Sequence, residues 1–272
     1  MTHKIQNAAR RIRRRIVNVA HHAPSDGVHV SPALSMTDIL STLYGSVMRY
    51  DAQQITSKQR DVFILSKGHA ALGLYATLCE FGIITEAQLN EFEINGSVLQ
   101  VHPTKHPEYG IDFSGGSLAQ GLSFATGLAL GRRLHGEAWH TYVLVGDGEC
   151  NEGAIWEGAF MAAHHKIDNL TLIVDRNGLQ SDGFTAEVMQ MDLEALWRAC
   201  HWETIVCDGH DIDALQAAFA APHNGKPKVI IANTVKGKGV SFMENSKEFH
   251  RNRVSAQQLS DALTGLHGGE DD

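Results

Sequence analysis

The stretch Tyr142-Val143-Leu144-Val145-Gly146-Asp147-Gly148-Glu149 carries the reading of this chain. Its apolar, β-branched first half reads as a buried strand, and the residues from Glu152 to Ala163 that follow it favour a helix. A carboxylate therefore sits at a strand end, facing an opening helix. Gly146 and Gly148 let the backbone turn sharply and approach a ligand, which a side chain at either place would obstruct. Downstream, Leu170-Thr171-Leu172-Ile173-Val174 reads as another strand, ending at Asp175-Arg176-Asn177-Gly178-Leu179. If the two strands are neighbours, Asp147 and Asn177 converge on one hard cation, with a backbone carbonyl of the second loop and diphosphate oxygens completing an octahedron. Magnesium suits such a shell. Two protein side chains make a weak cage, so ion and diphosphate should bind interdependently. Gly-Asp-Gly alone is equally a β-turn; the second donor at the second strand end favours the site.

Working outward, Val62 to Leu65, Thr204 to Val206 and Lys228 to Ala232 read as further buried strands. Helical periodicity fills the intervals near residues 36–49, 70–81, 117–134, 153–166, 192–200 and 211–221. This alternation predicts an α/β fold: a mainly parallel sheet with helices on both faces, whose ligands bind beyond the carboxyl ends of the strands. At the N-terminus, Ile5, Ala8, Ile12, Ile16 and Val19 recur on one helical face, leaving the arginines from Arg10 to Arg15 as a solvated basic face. One domain is expected over residues 1–256, with 257–272 as a tail that frays from Gly265 to Asp272.

Composition narrows the function classes. A chain of 272 residues with 43% hydrophobic content can bury a full core, so a folded enzyme or binding domain is expected rather than a disordered segment. A net charge of −8 argues against a nucleic-acid partner, which would call for a basic face. The four cysteines show no C-x-x-C pair, and no apolar run is long enough for a secretory signal or a membrane span, so a reducing cytoplasm is expected.

The loop pair around Asp147 and Asn177 resembles the signature of thiamine-diphosphate enzymes, and this resemblance implies magnesium bound by Asp147, Asn177 and the carbonyl of Leu179, with Gly148 beside the cofactor. Leu65-Ser66-Lys67-Gly68-His69-Ala70 is similar to a motif of the transketolase family whose histidine reaches the cofactor diphosphate. His106-Pro107-Glu108, Gly110-Ile111-Asp112 and Ser114-Gly115-Gly116-Ser117-Leu118-Ala119-Gln120-Gly121 resemble the family's next stretch. They imply a substrate contact at His106 and an aminopyrimidine border at Gly116 and Leu118. Glu152 matches a glutamate that links two active sites across a subunit interface. Thr234 to Phe242 resembles the loop after the last strand, with His250 as an active-site histidine.

His29 falls where the family has a proton-transferring, substrate-contacting histidine, but the family's glycines after it are replaced by Val30, Ser31 and Pro32. That departure implies a different loop path and an altered substrate preference. The resemblance covers residues 10 to 255 and only the first of the family's three domains. It implies transfer of a two-carbon ketol unit from a ketose or ketose phosphate to an aldose. It also implies a partner subunit with the pyrimidine-binding and C-terminal domains, in an α2β2 heterotetramer. The competing readings are the α subunit of a 2-oxo-acid dehydrogenase and a non-catalytic cofactor-binding subunit. A dinucleotide-binding fold is disfavoured, since no G-x-G-x-x-G opens a helix.

Overall fold

The computed structural model describes residues 1–181 and 183–266. Along the chain, α1 (Thr2–His22), α2 (Val30–Ser35) and α3 (Thr37–Thr42) precede strand β1 (Val62–Leu65). Then come α4 (Ala71–Glu80), α5 (Glu86–Leu89) and α6 (Gln120–Leu134), followed by β2 (Thr141–Gly146), α7 (Gly153–His164) and β3 (Leu170–Arg176). The remainder runs α8 (Thr185–Val188), α9 (Leu193–Ala199), β4 (Glu203–Asp208), α10 (Ile212–Ala220), β5 (Lys228–Asn233) and α11 (Ala256–Gly265).

All strand pairs are parallel, in the order β1-β2-β3-β5-β4. Alternation along the strands divides the core between two faces, because successive side chains of a strand point to opposite sides. Phe63, Leu65, Leu144, Ile173 and Ile230 pack with α1 to α4 and α10. Their neighbours Val62, Ile64, Val143, Val145, Leu172 and Ile231 pack with α6, α7 and α9. On the second face Trp156, Trp197 and Trp202 form a chain of rings with 5.0 Å between successive centroids, tying α7 to α9 and to the approach to β4.

Three expectations change. The segment after His29 was expected as a loop of altered path but is helical: His29 stands just before α2, and Pro32 lies in its first turn, where a missing N–H has no intrahelical partner to lose. Residues from 257 on were expected as a tail, yet α11 is held by a capping box in which Ser255 Oγ accepts from Gln258 N–H at 3.2 Å, with Ala262 and Leu266 buried near α1. Residues 267–272 of that expected tail lie outside the described residues. Nor is the arginine face of α1 merely solvated, since Arg13 is buried against Asp38, and Arg11 and Arg15 pair with Glu80.

Burial alone would raise the pKa of Asp38, but the Arg13 guanidinium and His210 outweigh it and hold the carboxyl below its usual value. A depressed carboxyl pKa contributes stability that is present above the unfolded value of about 3.9 and is lost as pH falls through the folded one. Acid unfolding followed by circular dichroism should therefore begin at higher pH in Asp38→Ala than in the parent. Among the described residues no helix is long and apolar enough to cross a membrane.

Candidate active site

Register sets the site. Gly146 pairs with Asp175, and Asp175 with Ala232, so β2, β3 and β5 end level with one another and release their loops on one side. Asp147 leaves β2 at that edge. Its Oδ2 accepts the Gly178 N–H at 2.7 Å and its Oδ1 the Gly148 N–H at 2.9 Å, which fixes the carboxylate against the loop that carries Asn177. Asn177 Oδ1 accepts the Leu179 N–H at 3.1 Å. A cavity of 320 Å³ lies over these ends, with Asp147, Asn177, Leu179, His69, His250 and Lys236 among its walls.

Below the cavity two buried carboxylates are fully engaged. Glu149 joins three elements: Oε1 accepts Ser66 Oγ at 2.6 Å and Ala119 N–H at 2.7 Å, and Oε2 accepts Gly146 N–H at 3.0 Å. Asp175, fully buried, pairs with the Lys67 ammonium and accepts the Ser35 hydroxyl at 2.6 Å, the Thr234 hydroxyl and, at 3.4 Å, the Asn177 Nδ2–H. Burial alone would raise the Asp175 pKa, but Lys67 outweighs it and keeps the carboxyl below its ordinary value. Asp147 has no such cation against it, and burial followed by the charge of Asp175 pushes its pKa up to about 6. Lys236 donates to the carbonyls of Leu179 at 3.1 Å and Gln180 at 3.4 Å, and burial followed by the Lys67 charge brings its pKa down to about 8.

The helix α6 approaches this floor closely. A Cβ at Gly121 would stand 2.4 Å from Ser66 Cβ, so only glycine fits while Ser66 holds Glu149. Gly121→Ala should cost about 1–3 kcal/mol of stability through overpacking, read from urea unfolding of the two chains.

Three expected histidines meet at the cavity edge. The ring centroids of His29, His69 and His250 lie 5.3, 5.3 and 5.4 Å apart. Burial is the leading cause that lowers all three pKa values: His29 to about 4, His250 to about 3 and His69 well below its usual value. At neutral pH the trio is uncharged. Leu118 lines the cavity, and Glu152 stands exposed at its rim, at the start of α7. Gly148 is in the wall, whereas Gly116 lies behind it, against Gly68, where a Cβ would stand 3.7 Å from the His102 ring.

His106 is not brought to the site. Its Nδ1 pairs with Glu108 at 2.9 Å, its ring faces Tyr109, and its backbone closes a turn with Ile111. His102 stands nearer, against Gly116 and within electrostatic reach of His29. The sequence holds two His-Pro pairs, His102-Pro103 and His106-Pro107, and only packing separates them: Pro103 is buried and its carbonyl accepts the Gly115 N–H at 2.8 Å, which ties the first pair to the Gly115-Gly116 loop. Lys67, Lys236, Glu149 and Asp175 were likewise not singled out from the sequence.

The donor chemistry fits a magnesium diphosphate. One ionisable carboxylate, one amide oxygen and one carbonyl give a hard, all-oxygen set, and Lys236 brings a positive charge whose hydrogen bonds go to neutral carbonyls. Among the described residues no group of three His, Cys, Asp or Glu side chains could hold a metal by itself, so a metal here would need other oxygens to complete its shell.

Comparison with known proteins agrees with this geometry. Residues 4–267 match the family described as transketolase, thiamine diphosphate binding domain. The chain is 39% identical over 97% of its length to one of the subunits of the apulose-4-phosphate transketolase of Actinobacillus succinogenes, covering 96% of that protein. It is 36% identical over 88% of its length to a 6-deoxy-6-sulfo-D-fructose transketolase subunit of Clostridium sp., again covering 88% of it. The transketolase structure from Leishmania mexicana superposes with a TM-score of 0.87 at 25% identity; 98% of this chain is covered, but only 41% of that one. With its sheet, loop pair and full-length relatives all in agreement, the chain belongs to the transketolase family, as its thiamine-diphosphate-binding part.

Proposed function

We propose that this chain is the diphosphate-binding subunit of a two-subunit transketolase, which moves a two-carbon ketol unit from a ketose or ketose phosphate to an aldose acceptor. The observation that carries the reading is the meeting of Asp147, Asn177, the Leu179 carbonyl and Lys236 in one cavity beside three clustered imidazoles. Asp147, Asn177 and Leu179 would hold magnesium, Lys236 and His69 the diphosphate, and Gly116, Leu118 and Gly148 the body of the cofactor. Thiamine diphosphate supplies the nucleophilic carbon and the electron sink.

The protein's part is orientation and proton handling. A neutral imidazole offers one donor and one acceptor, so His29, His69 and His250 can bind sugar hydroxyls and pass protons without placing positive charge beside the reacting carbons. His102 takes the substrate-contacting place that the sequence resemblance gave to His106.

Relatives named as transketolase subunits cover this chain almost end to end, which supports a separate partner bearing the pyrimidine-binding domain and favours a transketolase over a component of a 2-oxo-acid dehydrogenase. An α2β2 assembly, with Glu152 linking the two active sites, fits the exposure of that residue at the cavity rim. The four cysteines are free thiols, in keeping with a reducing cytoplasm. Co-expression with a partner chain that carries the pyrimidine-binding domain tests the proposal. Ketol transfer should appear with the pair but with neither chain by itself, vanish with a chelator and return with magnesium. A purified pair that ignores thiamine diphosphate would overturn the reading.

A further inference from the structure

Eight buried side-chain atoms among the described residues have no hydrogen-bond partner, and three of them belong to one neighbourhood: His29 Nδ1, Ser31 Oγ and His250 Nδ1. The His29 and His250 rings are in edge contact at 5.3 Å. Ser31 joins them through the backbone: its N–H donates to the Phe249 carbonyl at 3.4 Å, and its own carbonyl accepts the Gly237 N–H at 3.1 Å. Its side chain is fully buried.

Other hydroxyls in the same helical region find acceptors inside the fold. Ser35 donates to Asp175, Thr37 to the Ala33 carbonyl and Ser41 to the Thr37 carbonyl. Ser31 has no such outlet, because the residue four positions earlier, Gly27, lies outside the helix. Three desolvated polar atoms without partners in one region of the fold are uncompensated unless polar atoms from outside the chain serve them. Each of the three can donate or accept. That pattern suits a neutral oxygen doing both, and three hydrogen bonds is the usual complement of a buried water.

We propose that Ser31 is a positioning residue whose hydroxyl, with Nδ1 of His29 and His250, holds one neutral oxygen, supplied by a bound water or by a sugar hydroxyl, and so orients the two imidazoles. Valine, serine and proline after His29 then mark a changed substrate grip. The catalytic consequence rests on the transketolase reading; the oxygen site itself does not.

Two measurements test this separately. In the isolated chain, Ser31→Ala and Ser31→Gly remove the hydroxyl without adding volume, and long-range ¹H–¹⁵N spectra should show the Nδ1 resonances of both histidines moving. Nδ1 resonances unmoved in both variants, in the isolated chain and again in the pair with sugar bound, would overturn the site, whether its oxygen is water or a sugar hydroxyl. In the assembled pair, Ser31→Ala should lower kcat/KM by ~10-fold, the worth of about one neutral hydrogen bond, and alter its pH profile, with thiamine diphosphate affinity unchanged. A loss equal for every sugar identifies water. A loss that disappears with the matching deoxy-sugar identifies the sugar hydroxyl. Unchanged kcat/KM and pH profile in an active pair would overturn the positioning role.

Discussion

Asp147→Ala is expected to abolish magnesium-dependent loading of thiamine diphosphate by the assembled complex, weakening it by more than ~100-fold. Asp147 is the one ionisable side chain in its donor set, and a hard cation bound mainly through phosphate oxygens keeps only one or two protein carboxylates. The same carboxylate also anchors the Asn177 loop through the Gly178 N–H, so alanine removes both a charge and the clamp on the second donor. Asp147→Asn separates these effects. It retains an acceptor for Gly178 while removing the charge, and should fold normally while loading as poorly as alanine. Calorimetric titration of the complex with cofactor, with and without magnesium, reads the difference. Loading by Asp147→Asn at parental affinity would remove the metal assignment.

Lys67→Met should produce the largest loss of stability, about 3–5 kcal/mol, because it strands the fully buried carboxylate of Asp175. Ser35, Thr234 and Asn177 can still donate to that group, but none of them brings a compensating charge. The Lys67 ammonium also donates to the Pro32 carbonyl at 2.8 Å, so the start of α2 should loosen as well. Adding Asp175→Asn removes the stranded charge and should recover a substantial part of the loss. Urea unfolding of the parent, both single variants and the double variant gives the coupling directly. Strictly additive losses would show that the pair acts as two unrelated buried groups.

What the sequence revealed follows from which signals are local. Strands buried on both sides appear as β-branched runs, and a carboxylate between glycines at the end of one is visible without coordinates. Their meeting at Asp147 and Asn177 depended only on β2 and β3 being neighbours, as they are. Partnerships between distant positions leave no such trace. Glu149 reaches Ser66 and Ala119, and Lys67 reaches Asp175, across separations that no periodicity records. The segment from Val30 to Pro32 read as a loop because the place of Pro32 in a first turn is known only once the helix start after His29 is fixed. The capping residues Ser255 and Gln258 were a usable signal for α11, outweighed by the glycine and acidic residues that close the chain. Between His102 and His106 the choice lay in the packing of Pro103.

The row of indole rings behind α7 has a practical consequence. Trp156 belongs to the helix that opens at the cavity rim, and its Nε1–H donates to the carbonyl of Cys150 within the turn that follows Asp147. Any ligand or partner chain that tightens this turn will change the surroundings of a set of closely coupled chromophores. Ultraviolet emission should thus report assembly and loading without an attached dye.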